Sequence, residues 1–84
     1  MFWFKECPRC GLSGGGRLFL YEDLDNKRLY LHCDECEWGW LDPGKADDPG
    51  SAFLTLGLDF ESRPASRDSI ETYGWQAQAV HWVP

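Results

Sequence analysis

Side chains alternate with period two along four short runs of this chain. The run Phe2 to Lys5 reads as a short strand, with Trp3 facing opposite to Phe2 and Phe4. Arg17 to Glu22 sets Leu18 and Leu20 on one face and Phe19 and Tyr21 on the other. Lys27 to His32 repeats the pattern, with Leu29 and Leu31 against Arg28, Tyr30 and His32. The turn formers Asp23-Leu24-Asp25-Asn26 lie between these two runs, which predicts a hairpin. The cleanest alternation runs from Ala52 to Phe60. Ala52, Leu54, Leu56, Leu58 and Phe60 share a face, which predicts a strand with one buried side.

The period then changes. Ser66 is a good helix N-cap, Asp68 suits the first turn, and Gly74 fits the position just past the last turn, so Arg67 to Tyr73 reads as a short helix. Trp75, Ala79 and Trp82 fall at i, i+4 and i+7, which predicts a second helical segment packed as a cap. On this reading His81 sits near the helix C-terminus, where a cation is favourable. Asp42-Pro43-Gly44 and Asp48-Pro49-Gly50 mark turns in a polar acidic loop over 42–51.

Four cysteines punctuate the first half: Cys7-Pro8-Arg9-Cys10 and Cys33-Asp34-Glu35-Cys36, with 22 residues between the pairs and no cysteine left over. A tight turn puts both sulfurs of a C-x-x-C on one side, and two facing turns enclose one tetrahedral ion. Gly11 suits the backbone after the first turn. The gap is about what one hairpin consumes. Two disulfides are the alternative, as in a secreted mini-protein. The N-terminus Met1-Phe2-Trp3-Phe4-Lys5-Glu6 lacks the features of a signal peptide, and no apolar run approaches a membrane span. The expected location is a reducing cytoplasm, where paired C-x-x-C motifs favour metal. A thioredoxin-like role needs one such motif opening a helix after a strand, which the β-rich context does not offer. His32, next to Cys33, points to the opposite face of a regular strand.

The pairs Cys7-Pro8-Arg9-Cys10-Gly11 and Cys33-Asp34-Glu35-Cys36 resemble the zinc-ribbon group. The resemblance covers about half the chain and implies a structural Zn²⁺ held by Cys7, Cys10, Cys33 and Cys36 on facing knuckles at one end of an antiparallel sheet. The first knuckle also looks like one found in rubredoxins. The second has Glu37 where that pattern has glycine, which weakens an iron electron-transfer reading. The expected fold is therefore α+β: a zinc ribbon with antiparallel β-sheet, one additional strand and a short C-terminal helical cap. We expect one domain over 1–84, with the ribbon at 1–41, an acidic loop at 42–51, the extra strand at 52–60 and the cap at 66–82. An 84-residue core is marginal without a staple, so a structural metal has an evident job.

Charge adds a direction. The formal net charge is −6, and it is uneven: residues 22–61 carry eleven acids against three bases. Four thiolates on one Zn²⁺ add about −2. Such a chain repels a phosphate backbone and attracts a basic partner. Aromatic content of 15%, with five Trp, points to a compact core or an aromatic contact surface. Trp38 and Trp40 flank Gly39, which leaves room for close backbone approach. They are candidate anchors as well as candidate core residues.

The expected function is a non-catalytic protein-interaction module, with Asp34, Glu35, Glu37, Trp38, Trp40, Asp42, Asp47 and Asp48 as its contact residues. An N-terminal ribbon with the segment Ile70 to Trp75 looks like small bacterial immunity proteins, which implies a basic toxin as partner. Nucleic-acid binding is the alternative, with Arg9, Arg17, Phe19 and Tyr21 as its best cluster. Four cysteines complete a tetrahedral shell and leave no open coordination position. Ser13 and Ser51 have no base nearby in sequence, and the Gly14-Gly15-Gly16 run lacks the Lys-Ser/Thr of a phosphate loop. No case for an enzyme emerges.

Overall fold

Leu20 lies directly opposite Leu31, and the hairpin that holds them in register is the centre of the fold. The structure is a computed structural model and describes residues 1–10, 15–55, 60–78 and 80–83. In chain order its elements are strands β1 (Phe2–Glu6), β2 (Arg17–Asp23), β3 (Arg28–Cys33), β4 (Trp38–Trp40), β5 (Phe53–Leu54) and β6 (Ser62–Pro64), helix α1 (Arg67–Thr72), and strand β7 (His81–Trp82). The strands form one antiparallel sheet in the order β5-β4-β3-β2-β1-β7, with β6 also paired to β2. One edge of β2 serves two partners. Its first half pairs with β1, through Trp3 opposite Phe19, and its second half with β6, through Glu22 opposite Arg63.

The two predicted runs form the predicted hairpin, and its turn is built by Asp23. The Asp23 carboxylate accepts from the backbone N–H of Asp25 (3.2 Å) and Asn26 (3.0 Å), from Asn26 Nδ2 (2.8 Å) and from Arg28 Nε (2.9 Å). Lys27 turns the corner at φ +54°. Directly opposed residues share a face, so Leu18, Leu20, Leu29, Leu31, Cys33 and Trp40 line one side of the sheet. All six are buried. Phe2 extends this core, and α1 covers it with Ile70.

Helix α1 has the expected caps. Ser66 accepts from the Ser69 N–H, and Ser69 returns the bond to the Ser66 N–H. Gly74 takes φ +76°, its N–H bonds Glu71 O, and the Trp75 N–H bonds Ile70 O, a Schellman reversal.

That reversal accounts for one correction. The predicted second helical segment over 75–82 is not helical. Residues 76–78 turn, and His81–Trp82 forms β7 against β1. A segment of about eight residues cannot hold a helix without strong propensity, and Trp, His and Val are poor formers. The open edge of β1 offers main-chain partners instead. His81 therefore stacks on Trp3 at 4.5 Å rather than capping a helix, and Trp82 is 58% exposed. Ala79 lies outside the described residues.

The strand expected over 52–60 is seen as Phe53–Leu54, and 56–59 lie outside the described residues. Leu54, expected inside, is 45% exposed. Its partner strand β4 cannot run further back than Trp38, because Glu37 leaves the extended conformation at φ +62°. Thr55 is instead tied to Glu37 O, by its N–H (2.9 Å) and by its hydroxyl. The connector expected over 61–65 contains β6, an edge strand where Pro64 is tolerated.

Candidate metal centre

Both cysteine pairs lie at strand ends on one end of the sheet. β1 delivers Cys7, and β3 ends on Cys33. Turns over Pro8–Cys10 and Asp34–Cys36 fold the second cysteine of each pair back. The turns are pinned to each other through the start of β2. The Cys7 N–H bonds Gly16 O (2.8 Å), the Asp34 N–H bonds Arg17 O (3.3 Å), and Asp34 Oδ1 accepts from the Arg17 N–H (3.0 Å).

The four sulfurs lie within 4.8 Å of one another, so this group can hold one metal ion. The cysteines form no disulfide, with Cys7 Sγ 3.7 Å from Cys36 Sγ and Cys10 Sγ 3.4 Å from Cys33 Sγ. These are non-bonded separations, far beyond a disulfide bond of about 2.05 Å. A tetrahedron with metal–sulfur bonds of about 2.3 Å has edges of about 3.8 Å, so the spacing fits a four-thiolate ion with little adjustment. Cys7 and Cys33 are buried, while Cys10 and Cys36 keep some exposure.

Local hydrogen bonding separates the thiols. Burial pushes the Cys7 and Cys10 thiols up from their ordinary value. Burial acts the same way on Cys33, but N–H groups of Cys36 and Glu35 at 3.5 and 3.4 Å outweigh it and bring that thiol down. Amides aimed at a sulfur favour its thiolate.

Two residues around the site carried no clear signal in sequence. A Cβ on Gly16 would stand 2.6 Å from Cys33 Sγ and 3.0 Å from Cys10 Sγ, so glycine there makes space for the ligands. Its place directly before a strand, between the two pairs, was the available clue. Arg9, inside the first pair, lays its guanidinium 4.0 Å from the Trp38 ring and donates to Pro49 O (3.2 Å). It links the first knuckle to β4 and to the 42–51 loop.

The eight candidate contact residues have different local roles. Asp34, Glu35 and Glu37 belong to the second knuckle. Asp42 and Asp48 cap the 3-10 turns Pro43–Lys45 and Pro49–Ser51, and Asp47 pairs with Lys5. Trp38 lies under Arg9. Trp40 is fully buried, donates from Nε1 to Asp48 O (2.9 Å), and so offers no surface as an anchor. Gly39 allows the close approach expected of it, since a Cβ there would meet Leu31 O at 2.4 Å.

His32 points away from the sulfurs, as a residue adjacent to Cys33 in a strand must. Its Nδ1 lies 2.7 Å from Thr55 Oγ1, and burial lowers its pKa. Of the basic cluster, Arg17, Phe19 and Tyr21 share the face opposite the core, and Arg9 is elsewhere. No described helix is long and apolar enough to cross a membrane. Compared with protein-family models, curated proteins and solved structures, the chain matches none.

Proposed function

We propose that this chain is a zinc-ribbon-type, zinc-stapled protein-interaction module of a reducing cytoplasm, without catalytic activity, that captures a basic protein. The observation that carries the reading is the closed group of four thiols at one end of the β2–β3 hairpin. A soft four-sulfur tetrahedral set suits Zn²⁺, and it leaves no coordination position for substrate. The ion's work is then to hold β1, β2 and β3 in place. The net charge of −6 supplies the attraction for a cationic partner. Neutralising a basic bacterial toxin is one form of this function, suggested by the resemblance to immunity proteins.

Metal analysis of protein purified without added metal tests the first half. One zinc per chain and a colourless solution are expected, and a coloured iron form would turn the reading towards electron transfer. Affinity capture from nuclease-treated lysate with metal-loaded bait tests the second. One basic protein retained after nuclease supports the module, and toxicity of that protein alone supports the immunity form. Retention that vanishes with nuclease supports nucleic-acid binding instead.

A further inference from the structure

The face of the sheet opposite the core carries rings where an antiparallel sheet ordinarily shows polar side chains to water. Strand register sets His81, Trp3, Phe19 and His32 side by side on β7, β1, β2 and β3. Tyr21 and Tyr30 form the adjoining row, with Tyr21 edge-on to His32 at 5.4 Å and stacked with Tyr30 at 5.9 Å. Phe60 and Phe53 pack on Tyr30, which is buried. Trp3, Phe19, Tyr21 and His32 stay partly exposed, and His81 is exposed. Strands about 4.8 Å apart make the four-residue row about 14 Å long, the reach of about four extended residues.

The charges around these rings choose the ligand. Arg17 lays its guanidinium 4.6 Å from the Trp3 ring and His81 packs on the same ring at 4.5 Å, so one ring of this face already holds a guanidinium and Phe19 and Tyr21 are the partly exposed rings beside it. Arg28 is neutralised by buried Asp23 at 2.9 Å. Asp34 accepts the Arg17 N–H (3.0 Å) at the head of β2, and Glu37 is tied through its carbonyl to Thr55, whose hydroxyl lies 2.7 Å from His32 Nδ1. Rings bordered by carboxylates fit a cation better than a phosphate.

We infer that this face is the docking surface for an extended, arginine-rich segment of the basic partner, whose guanidinium groups stack on Phe19 and Tyr21, beside the Arg17–Trp3 pair, while Asp34 and Glu37 meet their charge. The inference rests on the interaction reading above and names the site of that interaction.

The test uses the zinc-loaded full chain, labelled for NMR, titrated with an alternating Arg-Ala peptide, its Lys-Ala counterpart and a single-stranded oligothymidylate. Shifts at the Trp3 indole, Phe19, Tyr21 and His32, with the arginine peptide bound most tightly, are expected. Phe19→Thr and Tyr21→Thr, each checked for unchanged zinc content, should each weaken that binding about tenfold. Shifts confined to α1 or the 42–51 loop, or unchanged affinity in both variants, would overturn the inference. Tighter binding of the oligothymidylate would overturn it in favour of a nucleic-acid surface. If both variants still capture the basic protein from lysate as wild type does, the face is wrong and the interaction module stands. If wild type binds neither the peptides nor a basic protein, both readings fall.

Discussion

Gly16 and Cys33 sit so close that one methyl group cannot be placed between them: a Cβ on Gly16 would come within 2.6 Å of Cys33 Sγ. Gly16→Ala must therefore move a ligand sulfur, and Cys10 Sγ at 3.0 Å blocks the other way out. Overpacking of this kind costs about 1–3 kcal/mol. We expect zinc affinity to fall by about tenfold or more, measured by competition with a chromophoric chelator. Affinity equal to wild type would mean that the knuckles adjust freely.

Removing the metal should unfold much of the sheet. The core-lining strands β1, β2 and β3 meet at the sulfurs, and a chain of this size has little else to staple it. Chelation should abolish the near-ultraviolet circular dichroism of buried Trp40. Because burial holds the Cys7 and Cys10 thiols up, zinc must displace protons from them at neutral pH. Apparent affinity should rise with pH, with proton release visible by calorimetry in two buffers. Affinity flat with pH would contradict this.

Asp23 makes the hairpin sensitive to acid. Burial alone would raise its pKa, but hydrogen bonds from Asn26 and the charge of Arg28 win and hold it below the ordinary 3.8. A carboxyl lowered in the folded state adds stability that is complete above its unfolded value and is lost as pH falls through the folded one. Asp23→Asn should thus be less stable than wild type at pH 7, by about 1–3 kcal/mol for the weakened buried hydrogen bonds. The gap should narrow below about pH 4. Denaturant unfolding at both pH values gives the answer, and a gap independent of pH would remove the charge from the account.

The parts of the fold legible in sequence were those set by local chemistry. Leucine alternation with an Asp-rich turn specified the hairpin, because period two and turn propensity act within a few residues. Ser66 and Gly74 marked both ends of α1 for the same reason, and the cysteine spacing was sufficient for the sulfur cluster. The failures came from partners distant in sequence. His81 and Trp82 follow a helical spacing with Trp75, yet the open edge of β1, about eighty residues earlier in the chain, recruits them as a strand. Trp40 and Trp38 look alike in sequence, but Trp40 is buried and donates to Asp48 O of the loop, while Trp38 lies against Arg9. The clustering of Trp3, Phe19 and His32 exists only once three strands are in register.

Glu37 offers the sharpest link between a sequence oddity and a physical cost. It stands where the glycine of the second knuckle is expected, and it adopts the backbone that glycine would supply, φ +62°. A left-handed conformation costs a side-chain-bearing residue about 1–2 kcal/mol, while glycine gives back about 0.5–1 kcal/mol in unfolded-state freedom. Glu37→Gly should therefore leave the zinc-loaded protein equally stable or more stable by up to about 1.5 kcal/mol. The N–H bond to Cys33 O (3.2 Å) and the carbonyl bond from Thr55 remain available. Denaturant unfolding of the two zinc-loaded forms measures the difference. A clear loss of stability would show that the Glu37 side chain itself holds the knuckle, and its carboxylate would then have a structural role beyond the charge assigned to it at the docking face.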